Sequence, residues 1–227
     1  INIDDVNVED EQIRNSTFDK VDSKHISVLP TSNGGVEGII KTLPGVSSSN
    51  ELSSQYNVRG GNFDENLVYV NGIEIYRPFL IRSGQQEGLS FINSDLVNSI
   101  QFSAGGFAAQ YGDKMSSVLD IVYKNPTKFG GSATMSLLGA NLSLEGVDKS
   151  KRLTYLIGAR KKSTKYVLNS LDTQGEYNPD FSDIQSYLSY TINNKWSVSY
   201  LGNYSKNTYH HIPQNRETRF GTISVPL

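Results

Sequence analysis

The chain has 227 residues, of which 37% are apolar and 19% are charged, and its formal net charge is −2. This composition is too apolar for a disordered chain and too polar for a helical membrane protein. The near-neutral charge predicts no attraction to nucleic acid or to anionic lipid. Because the chain has no cysteine, disulfides, Cys-based zinc sites and thiol nucleophiles are excluded.

The first 25 residues form the first predicted unit. They are acidic and thinly apolar, so we expect a flexible segment. Residues 1–10 have neither the basic leader nor the apolar core of a signal peptide. Nowhere does the chain approach the roughly 18 consecutive apolar residues that a transmembrane helix needs.

Residues 26–126 form the second unit, which we predict to be a compact mixed α/β domain. Apolar side chains recur at helical spacing from Val36 to Leu43, and Pro44-Gly45 ends the predicted helix. Asn71-Gly72 lies between two short apolar runs and predicts a hairpin turn, and Gly105-Gly106 predicts another turn. The predicted strands of this unit are 67–70, 73–76, 99–102 and 118–123, with a short helical turn within 93–97.

Residues 127–227 form the third unit, in which bulky and polar side chains alternate as they do along β-strands. Short turns are predicted at 148–151 and 193–195, with a longer polar loop over 162–181. This layout is typical of outer-membrane barrels, although a soluble antiparallel sandwich alternates its faces in the same way. The 100 residues from 128 onward can supply about five strands. A plugged barrel has about 22, so we expect antiparallel barrel strands that are incomplete in this chain.

The alternation also predicts which side chains of the last hairpin share a face. In a barrel, we expect Trp196, Val198 and Tyr200 to face lipid, and Ser197 and Ser199 to face the lumen. Trp196 would then lie in the aromatic belt near the 193–195 turn, together with Tyr190.

Three segments of the second unit resemble the plug of TonB-dependent outer-membrane receptors. The first contains the predicted helix and the step Leu43-Pro44-Gly45-Val46. The second contains Arg59-Gly60-Gly61 and the hairpin around Asn71-Gly72. The third runs from Ile92 through Gly105-Gly106 and Tyr111-Gly112 to the strand that ends the domain. The order and spacing of the three segments make the chain similar to a plug domain of this family that is followed by barrel strands.

The resemblance assigns a structural and gating role to seven plug residues. In that family, Arg59 is placed to bridge the plug to carboxylates of the barrel wall. An alternative is that it only brackets a turn. The glycines permit positive φ and close backbone approach. The predicted plug-motif residues are Arg59, Gly60, Gly61, Asn71, Gly72, Gly105 and Gly106.

The same resemblance implies active uptake of a scarce nutrient across a Gram-negative outer membrane. The implied nutrient is an iron chelate, a vitamin, a glycan or a peptide, and the implied partners are TonB and outer-membrane lipid. The loop over 162–181 resembles receptors from Bacteroidota, which adds a surface SusD-like lipoprotein as an expected partner. Two other functions stay open: a soluble β-rich binding or adhesion module, and a barrel relative that serves secretion.

A TonB box, the segment that TonB captures by strand addition, is expected near the N-terminus. Residues 3–8 are the only candidate, and the contact residues would be Ile3, Val6 and Val8. The alternative for this stretch is an acidic linker.

Enzyme chemistry is not expected. The adjacent His210 and His211 would point to opposite faces of a strand and are predicted to lie in a surface loop. The carboxylate pairs, such as Asp180 with Asp183, are expected to be exposed, and the chain has no G-x-S-x-G, H-E-x-x-H or Walker pattern. We therefore predict no catalytic residue, no metal ligand and no cofactor.

Overall fold

The computed structural model describes residues 18–22, 35–48, 53–78, 90–137, 139–163, 176–212, 216–218 and 221–223. The TonB-contact candidates Ile3, Val6 and Val8, and most of the predicted flexible segment, lie outside these residues. Within the described parts of the chain, no helix has the length and apolar character needed to cross a membrane.

The described elements are mostly strands. In chain order they are β1 (Asp19–Asp22), α1 (Val36–Ile40), β2 (Val46–Ser47), β3 (Asn57–Val58), β4 (Asn66–Val70), β5 (Ile73–Glu74), β6 (Val97–Ser103), β7 (Ser117–Tyr123), β8 (Gly130–Ser136), β9 (Gly139–Val147), β10 (Leu153–Ser163), β11 (Glu176–Asn193), β12 (Trp196–Ile212), β13 (Arg216–Thr218) and β14 (Gly221–Ile223). Single 3₁₀ turns precede β4 (Phe63–Glu65) and β6 (Ser94–Leu96).

The first sheet has the strand order β1-β6-β7-β4-β5. Its pairs are antiparallel except for the central β4–β7 pair, which is parallel. Helix α1 packs on one face of this sheet and contributes Val36 and Ile40 to a core that contains Ile100, Phe102 and Ile121. We call the region from Asp19 to Tyr123 the plug. Its predicted helix, hairpin and strands are all present, although α1 ends at Ile40 and β5 ends at Glu74, each earlier than predicted.

The plug begins earlier in the chain than predicted. Residues 19–22, assigned to the flexible segment of residues 1–25, instead form β1 and pair with β6. Two contacts stabilise this edge strand: Val21 packs against the core, and the Phe18 ring lies 5.5 Å from that of Tyr111. Four residues with a single apolar member give no usable periodicity, which is why the sequence did not indicate a strand here.

The second sheet, which we call the wall, joins β8 to β12 in chain order as five antiparallel strands. The predicted turns at 148–151 and 193–195 are confirmed, and Asn193 Oδ1 accepts hydrogen bonds from the backbone N–H groups of Lys195 and Trp196. The predicted loop over 162–181 is too long, because β10 continues to Ser163 and β11 begins at Glu176. Glu176 pairs with Ile212, so the β11–β12 hairpin extends into polar sequence for which a loop was predicted.

That extension also corrects the position of the histidine pair. His210 and His211 lie in β12, not in a surface loop, and they pair with Asn178 and Tyr177 of β11.

The two faces of the wall differ in chemistry. Tyr187 packs against the plug core, and its direct cross-strand neighbour Leu201 does the same. Because side chains alternate along a strand, Ser197 and Ser199 share this plug side, whereas Val198 and Tyr200 lie on the opposite side. The predicted division of this hairpin into two faces is therefore confirmed.

The plug–wall interface as candidate functional site

The contact between the plug and the wall is centred on the Arg160 side chain of β10. Arg160 donates from Nε and Nη2 to the two carboxylate oxygens of Asp183, at 2.8 and 2.7 Å. The same guanidinium donates from Nη1 to the carbonyl of Ile92 at 2.6 Å and from Nη2 to that of Ser90 at 2.9 Å. A planar guanidinium can serve a carboxylate and two carbonyls at once because its five donors point in fixed directions. Arg160 thus ties the plug backbone to the wall.

Gln185 of β11 completes the grip on this plug segment. Its Nε2 donates to the Phe91 carbonyl at 3.2 Å, and its Oε1 accepts from the Tyr123 hydroxyl at 2.8 Å. Gln185 is fully buried, and burial raises the pKa of Tyr123, so the phenol stays protonated and able to donate. Three consecutive plug carbonyls, from residues 90 to 92, are therefore held by wall side chains.

The start of that segment is also tied to the plug itself. The Phe91 N–H donates to the Pro78 carbonyl at 2.6 Å, which brings together the two chain positions that flank residues 79–89.

A second group of contacts surrounds the 3₁₀ turn before β6. The Asp95 carboxylate accepts from Asn141 Nδ2 at 2.6 Å and from the Ser132 hydroxyl at 3.4 Å. Asn93 is fully buried and its amide lies against Gly158 of β10, where a Cβ atom would come within 2.3 Å of Asn93 Nδ2. Gly158 is therefore required for the close approach of the plug to the wall.

Two further ionisable side chains, one in the plug and one in the wall, are buried. Glu37, in the first turn of α1, is 4% exposed, and Lys162 of β10 is 7% exposed. Burial raises the pKa of Glu37, while its hydrogen bond with Ser90 and the charges of Arg160 and Lys41 act in the opposite direction.

Arg59-Gly60-Gly61 forms a tight turn at the end of β3. Arg59 and Gly60 both have positive φ, 48° and 82°, and the Gly61 N–H donates to the Val58 carbonyl at 2.9 Å. A Cβ at Gly61 would lie 2.5 Å from Ser116 Oγ, so this glycine allows the turn to pack closely against the residue that precedes β7. The backbone of Arg59 is thus part of a turn, which is the alternative role that the sequence analysis gave this residue.

The Arg59 side chain is exposed and passes between two glycines. A Cβ at Gly45 would lie 3.4 Å from Arg59 Cγ, and one at Gly105 would lie 3.5 Å from Nη1. The motif residues Arg59 and Gly105 are thus brought together. In the described part of the chain Arg59 has no ion pair, and its bridge to a wall carboxylate stays a prediction.

Asn71-Gly72 forms the predicted hairpin turn, with φ of 49° and 74°. Asn71 also performs a second task, because its Oδ1 accepts from the Tyr123 N–H at 2.9 Å and its own N–H donates to the Ile121 carbonyl. Gly105 and Gly106, with φ of 105° and 72°, form the turn after β6.

Sequence reasoning missed the residues that join the plug to the wall. Asp183 was expected to be exposed, but it is 2% exposed and ion-paired, because Arg160 neutralises its charge inside the interface. The one available signal was Arg160 and Lys162, two charges on the same face of an otherwise alternating strand. The described residues contain no cluster of three or more potential metal ligands.

Comparison with known proteins finds a family that resembles part of this chain. Residues 10–118 match the family model for the TonB-dependent Receptor Plug Domain. A search of curated proteins found no match.

Several solved structures share the fold. The siderophore receptor PirA from Acinetobacter baumannii superposes with a TM-score of 0.62 and 19% identity, over 85% of this chain and 32% of that protein. The ferric enterobactin receptor PfeA from Pseudomonas aeruginosa gives 0.60 and 20%, over 86% and 33%. The outer membrane transporter YddB from Escherichia coli gives 0.58 and 15%, over 89% and 34%.

The chain spans about a third of the length of these structures. The superposition covers most of the plug and the wall together. Residues 10–118 therefore resemble a TonB-dependent receptor plug domain, and the plug and the antiparallel sheet that follows it share the fold of the matching parts of these receptor and transporter structures.

Proposed function

We propose that this chain belongs to a TonB-dependent receptor that takes up a scarce nutrient across a Gram-negative outer membrane, with the plug gating the barrel lumen. The observation that carries the proposal is the division of the wall into two faces. One face is polar and binds the plug through Arg160, which is paired with Asp183, and through Gln185. The opposite face exposes large apolar side chains, among them Ile184 (55%), Tyr200 (60%) and Tyr204 (70%).

This arrangement argues against a soluble β-rich module. A soluble sandwich buries its apolar face in a core and exposes the polar one. Here the polar face is the covered one, which suits a sheet whose apolar face meets lipid and whose polar face encloses a plug.

The nutrient class that we put first is a ferric chelate. PirA and PfeA are named as siderophore and ferric enterobactin receptors, and both resemble this chain across plug and wall. A Bacteroidota origin and a SusD-like partner are supported only by the sequence resemblance.

Growth under iron limitation tests the proposal. A strain that lacks the gene is expected to lose growth on one or more ferric chelates, and the gene in trans is expected to restore it. The protein should require detergent for extraction. Extraction by salt or buffer alone would contradict membrane insertion, and unchanged growth on all chelates would redirect the search to vitamins, glycans and peptides.

The TonB dependence has its own test. Strand addition uses backbone hydrogen bonds, so Val6→Pro or Val8→Pro should abolish uptake, while Val6→Ala or Val8→Ala should not. Normal uptake in the proline variants would place the TonB box elsewhere.

A further inference from the structure

A cleft in the plug, separate from the plug–wall interface, is formed by three parts of the chain. They are the 3₁₀ turn with β4, β5 with the residues that follow it, and residues 113–114. We call this cavity the plug cleft. Its volume is about 500 Å³, within the range of about 300–1,000 Å³ that is usual for small-molecule sites. The Ile75 N–H donates to the Val68 carbonyl at 2.8 Å, and the Ser116 N–H donates to the Glu65 carbonyl at 3.3 Å. Backbone hydrogen bonds therefore hold the three parts together.

The plug cleft lies toward one end of the wall. Pro78 lines the cleft, and its carbonyl accepts from the Phe91 N–H. The carbonyls on either side of Phe91 accept from Arg160, which is three positions from Ser163, the last residue of β10. The short turn at 148–151 joins β9 to β10 at the opposite end. Because outer-membrane barrels have short periplasmic turns, the cleft is on the extracellular side of the plug.

Charged groups of both signs line the plug cleft. None of the ion pairs among the described residues involves any of these charged groups. The Tyr76 ring, which is 84% exposed, adds an aromatic surface. Charges of both signs are therefore available to a ligand within one cavity. The charged lining residues are Asp64, Glu74, Arg77, Asp113 and Lys114.

This lining discriminates among classes of nutrient by charge. The carboxylates outnumber the cations by three to two, so a polyanionic chelate would meet net repulsion. A neutral glycan could stack on Tyr76, but it would displace water from the charged groups without supplying a counter-charge. A ligand that carries both an ammonium and a carboxylate group can pair with both signs at once.

We propose that the plug cleft binds a zwitterionic ligand of peptide type. Its free ammonium group pairs with the carboxylates of the cleft, and its free carboxylate pairs with Arg77 and Lys114. This inference rests on the proposed function, and it narrows the nutrient to a ferric chelate that is built on a peptide.

Four matched ferric peptides test the charge selection in the detergent-purified native protein. The parent probe is a tripeptide with three hydroxamate side chains and free termini. Three hydroxamates neutralise Fe³⁺, so only the termini carry charge. Acetylation removes the ammonium, amidation removes the carboxylate, and both together give a neutral probe. Isothermal titration calorimetry should show that the parent binds about ten-fold or more tighter than the neutral probe.

Two variants assign the selection to the plug cleft. One removes the negative charges by Asp64→Asn, Glu74→Gln and Asp113→Asn, and it should abolish the preference for a free ammonium group. The other removes the positive charges by Arg77→Gln and Lys114→Gln, and it should abolish the preference for a free carboxylate. Both should bind the neutral probe as the wild type does, which shows that they are folded.

The matched control is Asp148→Asn, which removes an exposed carboxylate from the turn at the opposite end of the wall. It should leave all four affinities unchanged. Equal affinities for the four probes, binding of none of them, or tighter binding of the acetylated probe than of the parent would overturn the inference. So would selection that survives in both cleft variants. Growth on ferric chelates without any such charge preference would leave the proposed function standing, whereas charge-selective binding without a growth defect in the deletion strain would refute only the proposed uptake.

Discussion

The Arg160 guanidinium and the Asp183 carboxylate form a two-point ion pair between neighbouring wall strands, with distances of 2.8 and 2.7 Å. The pair fixes the orientation in which Arg160 donates to the plug carbonyls of Ser90 and Ile92. The strength of the plug–wall contact therefore depends on a residue, Asp183, that does not itself touch the plug backbone in these bonds.

Asp183→Ala should destabilise the seated plug by about 3–5 kcal/mol, because it leaves the Arg160 charge buried without a partner. Arg160→Lys should also weaken the contact, since an ammonium cannot reproduce the planar fork. Denaturant unfolding in detergent, followed through amide protection of residues 91–93, measures both. The control is Asp180→Asn, which disrupts the exposed pair with Lys161 and should change stability by less than about 1 kcal/mol. Equal effects of Asp183→Ala and Asp180→Asn would refute the anchoring role.

Gly61→Ala should destabilise the plug by about 1–3 kcal/mol, because the new methyl group would lie 2.5 Å from Ser116 Oγ and 2.8 Å from Glu65 Oε2. Gly112→Ala is the matched control, since a Cβ there meets nothing within 4 Å. Thermal unfolding of the two variants should separate them clearly. Similar melting temperatures would show that the turn at Gly61 adjusts without strain.

Substitutions of Asn71 should separate its two roles. Asn71→Gly keeps the positive φ but removes the acceptor for the Tyr123 N–H, with an expected loss of about 1–3 kcal/mol. Asn71→Ala should lose more, because alanine also resists the left-handed conformation. Asn71→Asp should be the mildest, since it retains both properties. Equilibrium unfolding would contradict this account if Asn71→Gly matched the wild type.

Tyr111 should make the plug sensitive to alkaline pH. Burial and its hydrogen bond to Asp120, at 2.6 Å, raise the pKa of Tyr111 from 10.0 to about 12. The folded plug holds the phenolic proton more tightly than the unfolded chain, so stability should fall as the pH rises from about 10 to about 12. Tyr111→Phe should flatten this part of the pH–stability curve. An unchanged slope would assign the effect to the other tyrosines.

Tyr204→Arg tests the orientation of the wall. Tyr204 is 70% exposed on the side away from the plug, near the middle of β12. An arginine that faces lipid at mid-depth should cost about 2–4 kcal/mol of folding free energy. Asn203→Arg, on the plug side of the same strand, should be much milder. The folding yield of each variant in lipid vesicles measures both effects. If Asn203→Arg lowered the yield more than Tyr204→Arg, the face on the plug side, and not the opposite one, would be in contact with lipid.

The sequence predicted those parts of the fold whose signals are local. Asn71-Gly72, the helical spacing after Val36 and the alternation around Val198 each depend on residues within one turn or one strand. The interface could not be predicted in this way. Arg160 reaches the Ile92 carbonyl across 68 positions, and Gln185 reaches that of Phe91 across 94. The spacing of residues within one strand or turn cannot predict such contacts, because the partners become neighbours only when the chain folds.

The hydrogen bond from the Phe91 N–H to the Pro78 carbonyl bears on how related sequences can diverge. Because this bond joins the two plug positions that flank residues 79–89, the contacts of residues 90–92 with the wall need not depend on how many residues connect those positions. Lengthening a closed connection is cheap, at about 0.6 kcal/mol for each doubling. Insertions and deletions among relatives should therefore concentrate between positions 78 and 91, while the length from Phe91 to Tyr123 stays nearly constant.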